Sequence, residues 1–273
     1  MSQPGTQYPY ASPPAAYQAA AAFKPIDRIE YLRAYHYIFD NPNGPTNVAW
    51  GFLCLISQMI VPVVGRLVLL GYEFEVIQGL LQTQGARYPD FDINRFADYL
   101  ARSLWPFLVG LVLGIPLLIV FYGAVIVVAL AAAAGAAMGG DDLGPALAIL
   151  IAFIGGAMLV AVLVAGIGLL LPLVLRAGLI QDFGGAFDFG WAIDFLKKTW
   201  LEITLVLLFL MATGIGLLLV GFMALCIGMW VALAIVMLAK AHLLYQLYLL
   251  YLSRGGTPVP LKMAVPHVMG KPL

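Results

Sequence analysis

From Leu104 to Met138 the sequence carries no charged residue, and from Ala146 to Leu175 it carries none again. A helix needs only about 20 apolar residues to cross a bilayer. In lipid every backbone N–H and C=O must be satisfied within its own structure, which leaves helices or closed barrels. The runs are continuous rather than alternating, so they do not read as barrel strands. The expected fold class is therefore an all-α integral membrane protein. Composition agrees: 63% of residues are apolar and 10% charged, against about 25% charged in a soluble domain. Net charge is zero and no basic cluster stands out, which argues against a nucleic-acid partner.

The first 22 residues are low in complexity and nearly free of charge, and a flexible tail over 1–24 is expected. Pro25 to Phe39 reads as a short helix on the membrane surface. Ile26, Ile29, Leu32, Tyr35 and Phe39 recur at helical spacing, with Asp27, Arg28, Glu30 and Arg33 on the other side. Asn41-Pro42-Asn43-Gly44-Pro45 breaks it. Asn47 to Leu81 is apolar but interrupted at Val61-Pro62-Val63-Val64-Gly65. It is either a hairpin or a re-entrant segment, and both return the chain to its starting side. Thr199 to Ala239 is apolar enough for two crossings, broken between Gly214 and Gly221. A loose tail is expected over 255–273, leaving 25–254 as the membrane domain.

Two polar elbows, near 84–104 and 180–199, separate the apolar runs and resemble each other. Phe91-Asp92 aligns with Phe187-Asp188, and Asp98-Tyr99-Leu100 with Asp194-Phe195-Leu196. Each elbow offers an Asp as helix N-cap, Asp92 and Asp188. Each also offers an opposite-charge pair four residues apart, Asp98 with Arg102 and Asp194 with Lys198. In the first elbow Ile93, Phe96, Leu100 and Leu104 form an apolar stripe. The expectation is two repeated amphipathic elbow helices.

Lysines and arginines concentrate before the first apolar run, at both elbows and in the C-terminal tail, whereas the Asp141-Asp142 turn has none. The positive-inside rule then places both termini and both elbows in the cytoplasm. About six transmembrane helices follow: a hairpin, a span out, a span back and a final hairpin.

Ionisable groups within apolar runs are where membrane proteins keep their chemistry. Arg66 and Glu73 lie seven apart on one helix face, with Glu75 nearby, and suit a polar path or a bound charge; otherwise Arg66 lies at the outer surface while Glu73 and Glu75 leave toward the cytoplasm. Asp98, Arg102, Asp194 and Lys198 suit a docking surface, or else support for an amphipathic helix. Lys240 is expected to snorkel to the headgroups. Glu202 is expected to begin a helix. Cys54 and Cys226 read as packing residues. No phosphate-binding loop, zinc-protease histidine pair or Gly-x-Ser-x-Gly elbow occurs, so neither catalysis nor a cofactor nor a metal is expected.

Several local motifs carry a resemblance. They are Phe39-Asp40-Asn41-Pro42, Trp50-Gly51, Pro62 with Val63-Val64-Gly65, Leu70-Gly71-Tyr72, and Pro89-Asp90-Phe91-Asp92 with the helix into Trp105. On these the segment from Tyr37 to about Pro116 resembles a bacterial and archaeal membrane-protein family catalogued as a domain of unknown function, family 4013. The resemblance implies a helical protein of the bacterial cytoplasmic membrane with cytoplasmic elbows, and no activity. The functional expectation is a non-enzymatic membrane protein whose elbows dock lipid or a partner, either further copies of the chain or another membrane protein. A transporter of small solutes or lipids is the alternative.

Overall fold

The computed structural model describes residues 25–224 and 227–262, so the expected N-terminal tail and residues beyond 262 lie outside the described part. The described residues are helical, with no strand. The helices are α1 (Arg33–Asp40), α2 (Gly44–Ile56), α3 (Val64–Gln82), α4 (Phe96–Met138), α5 (Gly140–Ile180), α6 (Phe183–Ala186), α7 (Phe189–Met223) and α8 (Ile227–Ser253). Four segments are long and apolar enough to cross a membrane: Ile93–Met138, Leu143–Ile180, Phe183–Met223 and Ile227–Ser253. Of the six expected spans, the first two correspond to α2 and α3, of 13 and 19 residues, which are not among the four.

Helices α2 and α3 form a hairpin. Its bend is a γ-turn at Val63, with φ 75° and Val64 N–H donating to the Pro62 carbonyl at 2.9 Å. A β-branched residue resists this backbone, and the turn reverses the chain within a few residues. Met59, Ile60 and Val61 at the tip are exposed and apolar. Beyond the turn, Gly65 lets α3 close on α2, since a Cβ there would lie 1.9 Å from the Cys54 carbonyl oxygen.

Helix α3 is the hub. Its residues are buried on every face from Val68 to Leu81, with Leu70 only partly covered. It packs against α2, α4, α8 and, more lightly, α5. The approach to α4 is close: a Cβ on Gly71 would sit 1.9 Å from the Tyr99 carbonyl oxygen. Tyr72, Phe91 and Tyr99 fill the junction, with ring centroids 5.0 to 5.8 Å apart. A second aromatic group joins α7 to α8 through Trp191, Phe195 and Tyr251, at 4.8 to 5.4 Å.

Helices α4 and α5 form a long antiparallel hairpin. Val128 faces Gly155, Leu117 faces Gly166, and Gln181 Nε2 donates to the Arg102 carbonyl at 2.9 Å. At 43 residues, α4 is about 65 Å long. That exceeds a hydrocarbon core of about 30 Å, so the hairpin tilts or protrudes. Helices α7 and α8 make a third hairpin, closed where Gly221 meets Gly228.

Three local expectations differ from the structure. The two expected amphipathic elbow helices are not formed as such. The first elbow is a 3-10 turn, Ile93–Arg95, running straight into α4, and the second is the four-residue α6 followed directly by α7. The caps are made as expected, Asp92 accepting from Asn94 N–H and Asp188 from Trp191 N–H. The surface helix shrinks to Arg33–Asp40, because Gln246 accepts from the Glu30 N–H at 2.6 Å and donates to its carbonyl at 3.1 Å. A backbone paired this way is held out of the helix, and its apolar stripe splits: Ile29 is buried while Leu32 and Phe39 are exposed. Residues 255–262, expected to be loose, are tied to the helices by hydrogen bonds. Thr257 and Val259 N–H donate to the Tyr251 and Tyr248 hydroxyls, and Lys262 N–H donates to the Leu179 carbonyl.

Candidate functional site

The structure gathers ionisable groups around α3. Glu73 is 2% exposed and Glu75 1%, so each carboxylate requires a partner. Lys240 of α8 supplies the first, its Nζ 2.7 Å from Glu73 Oε2. Arg95, at the mouth of α4, supplies the second. Its guanidinium grips both Glu75 oxygens, Nη2 donating to Oε2 at 3.0 Å and Nη1 to Oε1. Arg95 also lies 3.4 Å from Asp98 and over the Tyr99 ring at 5.5 Å. Two ion pairs thus tie the hub to α8 and to α4.

Asp98 pairs with Arg95 and not with Arg102, which corrects the expected four-residue pair. The α4 face carrying Arg95, Tyr99 and Arg102 turns inward toward α3, where Glu75 attracts Arg95 more strongly than an exposed carboxylate does. Arg102 is left with Nε and Nη2 enclosed and without a hydrogen-bond partner among the described residues. Gln78, one turn along α3 from Glu75, donates to the Lys262 carbonyl at 2.9 Å while its Oε1 is enclosed and unpartnered.

In the second elbow the expected pair forms. Lys198 Nζ lies 2.8 Å from Asp194 Oδ2, which also accepts from the Tyr251 hydroxyl at 2.9 Å. Arg176 donates through Nε to the Gly185 carbonyl at 2.8 Å, pairs with Asp188 at 3.0 Å, and lies over the Trp191 ring at 5.3 Å. Glu202 lies inside α7 rather than at a helix start, paired with Arg254. Arg66, expected on one face with Glu73, is exposed near the α2–α3 bend. Lys240 does not simply snorkel, because Glu73 claims it.

Other polar groups are structural ties. Asp90 accepts from the Asn41, Asn43 and Asn47 side chains at 2.7 to 3.1 Å, fixing the loop before the first elbow. The Tyr88 hydroxyl donates to the Ile38 carbonyl at 2.8 Å, and burial pushes its pKa up to about 12. His242 lies 4.4 Å from the Tyr37 ring, with Nδ1 2.9 Å from Gln246 Nε2. Among the described residues no three His, Cys, Asp or Glu side chains stand together as a metal site would need.

The outward surface of the elbows includes large apolar side chains. Ile93, Phe96 and Leu104 of the first, and Phe189, Ile193 and Trp200 of the second, are exposed. Asp92, Asn94 and Asp98 of the first elbow and Asp182, Asp188 and Lys197 of the second are exposed beside them, so each elbow presents apolar and charged groups together. Over residues 54–228 the sequence matches the family described as Protein of unknown function (DUF4013). The chain belongs to this family. The DUF4013 region takes in α3, α4, α5, α6 and α7, hence Glu73, Glu75, Arg95 and Arg102, whereas Lys240 and nearly all of α8 follow it. Of the motifs carrying the resemblance, Phe39 to Pro42 and Trp50-Gly51 precede the matched range. Neither the curated proteins nor the solved structures yield a match.

The partnership of Glu75 with Arg95 and that of Glu73 with Lys240 were missed in the sequence. Glu75 and Arg95 are 20 residues apart across a bend, and Glu73 and Lys240 belong to helices far apart in the chain. The available signal was two carboxylates two residues apart within an apolar run, which cannot both face water on one helix.

Proposed function

We propose that this chain is a non-enzymatic, multi-pass membrane protein whose two elbows dock lipid at the cytoplasmic face of the inner membrane. In this reading six helices are embedded: α4, α5, α7 and α8 cross, and the α2–α3 hairpin enters the membrane alongside them. The lysine and arginine distribution favours cytoplasmic elbows and termini. The observation that carries the docking role is the outward apolar, aromatic face of both elbows, with exposed Lys197 between Ile193 and Trp200. Trp, Phe and Lys together suit the headgroup boundary.

Spin labels test it. Nitroxides on Phe96→Cys and Ile193→Cys, in a Cys54→Ala/Cys226→Ala background in liposomes, should collide more with oxygen than with a water-soluble nickel chelate. Greater access to the chelate at both sites sinks the proposal.

A second reading, a transporter of small solutes or lipids, is favoured by one observation: the Glu73–Lys240 pair inside the bundle. Intramembrane ion pairs recur along substrate and proton paths. Proteoliposomes holding a pH-sensitive dye should then dissipate an imposed proton gradient faster than those with the E73Q/K240M protein; equal rates count against the proton-coupled form of this reading.

A further inference from the structure

A guanidinium carries five N–H donors and stays charged at neutral pH, so each enclosed donor requires an acceptor. Arg102 has two enclosed nitrogens, Nε and Nη2, which carry three of these N–H groups and meet no acceptor among the described residues. The nearest carboxylate of opposite charge is committed elsewhere: Arg95 occupies both oxygens of Glu75. Asp98, one helical turn before Arg102, lies against Arg95 at 3.4 Å. Arg102 therefore sits in the field of an ion pair without a hydrogen bond to it. Leaving such donors unmet is costly, so an oxygen-rich group from outside the chain is the natural complement.

Its position says which group. Arg102 is the last charged residue before the run that stays charge-free through Met138. Leu104, two residues on, is exposed and apolar, and Trp105 rests against Phe183 with ring centroids 6.0 Å apart. An arginine just below a tryptophan, at the edge of a long apolar helix, is at the depth of lipid phosphates. The Arg102 residue as a whole is only partly buried while Nε and Nη2 are enclosed, so a headgroup engages them once the guanidinium swings outward. We propose that Arg102 binds the phosphate oxygens of an anionic phospholipid where α4 enters the bilayer. A guanidinium takes phosphate through paired N–H donors, an arrangement a lysine does not reproduce. The inference rests on the reading of the elbows as lipid-facing and adds the chemistry of the headgroup.

Full-length protein purified in detergent is titrated with phosphatidylglycerol or phosphatidylcholine, and retained lipid is counted by native mass spectrometry. The wild type should retain phosphatidylglycerol in preference to phosphatidylcholine. R102Q should bind phosphatidylglycerol about tenfold more weakly or worse, the loss expected for a charge-assisted hydrogen bond, and R102K should fall between. Equal retention of the two lipids by the wild type, or unchanged phosphatidylglycerol binding by R102Q, overturns the proposal. Displacement of phosphatidylglycerol by millimolar inorganic phosphate would overturn the lipid as occupant and leave a free anion in its place. Should R102Q fail to fold, the wild-type comparison and R102K decide. The spin-label result at Phe96 and Ile193 is independent of Arg102, so elbows that contact lipid without headgroup selectivity refute this inference alone.

Discussion

Replacing Lys240 with methionine strands the Glu73 carboxylate, and the structure sets the size of the effect. At 2.7 Å and an effective dielectric of about 20, the pair attracts by about 6 kcal/mol. Desolvation of two charges offsets much of that, and less so for Lys240, whose side chain is 33% exposed. A stranded carboxylate also has an escape, because it can take up a proton. From an ordinary glutamate value of about 4.3 this costs about 3.7 kcal/mol at pH 7, which caps the penalty. K240M should therefore lose about 2–4 kcal/mol at pH 7. The E73Q/K240M protein, with no charge left to bury, should lie within about 1 kcal/mol of wild type. The pH dependence has a definite sign. In K240M the native carboxyl is neutral while the unfolded one ionises above about pH 4.3, so the deficit grows as pH rises from there toward 7 and shrinks on acidification. Reversible unfolding in dodecylmaltoside micelles with increasing dodecyl sulfate measures all three proteins at pH 5 and 7. A K240M protein as stable as wild type at pH 7, or a double variant as weak as the single one, would refute the argument.

The same unfolding assay checks three further expectations. G71A should cost about 3 kcal/mol or more, because its Cβ would meet the Tyr99 carbonyl oxygen at 1.9 Å and α3 must move off α4. G114A, with no atom within 4 Å of its Cβ, should be neutral or stabilising by up to about 1 kcal/mol. Y88F should lose about 1–2 kcal/mol with the buried hydrogen bond to Ile38. With a folded value of about 12 and an unfolded one of about 10, the Tyr88 contribution is constant below pH 10 and is lost as pH rises from 10 to 12.

The membrane class was legible because it depends on long charge-free runs, which constrain the backbone whatever the tertiary context. The caps at Asp92 and Asp188 were legible for a related reason, since an N-cap is a contact between near neighbours. The amphipathic stripe of the first elbow was also visible, but not its direction. Ile93, Phe96 and Leu104 look like a buried face by the habits of soluble proteins, and in lipid the same stripe points outward. Asp98 and Arg102 fitted a helical pair by spacing, but Glu75 from α3 engages Arg95, and Arg95 in turn draws Asp98. That competition is tertiary. Gln246 is the clearest case of hidden information: its amide pairs with the Glu30 backbone 216 residues away and ends the run of helix that periodicity alone would extend.

Cysteine labelling in intact cells tests the arrangement most directly. In the Cys54→Ala/Cys226→Ala background, Arg87→Cys at the first elbow, Gly184→Cys at the second and Ala137→Cys near the tip of the α4–α5 hairpin are all at exposed positions. A membrane-impermeant maleimide should modify Ala137→Cys from outside, and reach Arg87→Cys and Gly184→Cys only after the membrane is opened. Labelling of either elbow position in intact cells, or of the two from opposite sides, would contradict two elbows on one cytoplasmic face.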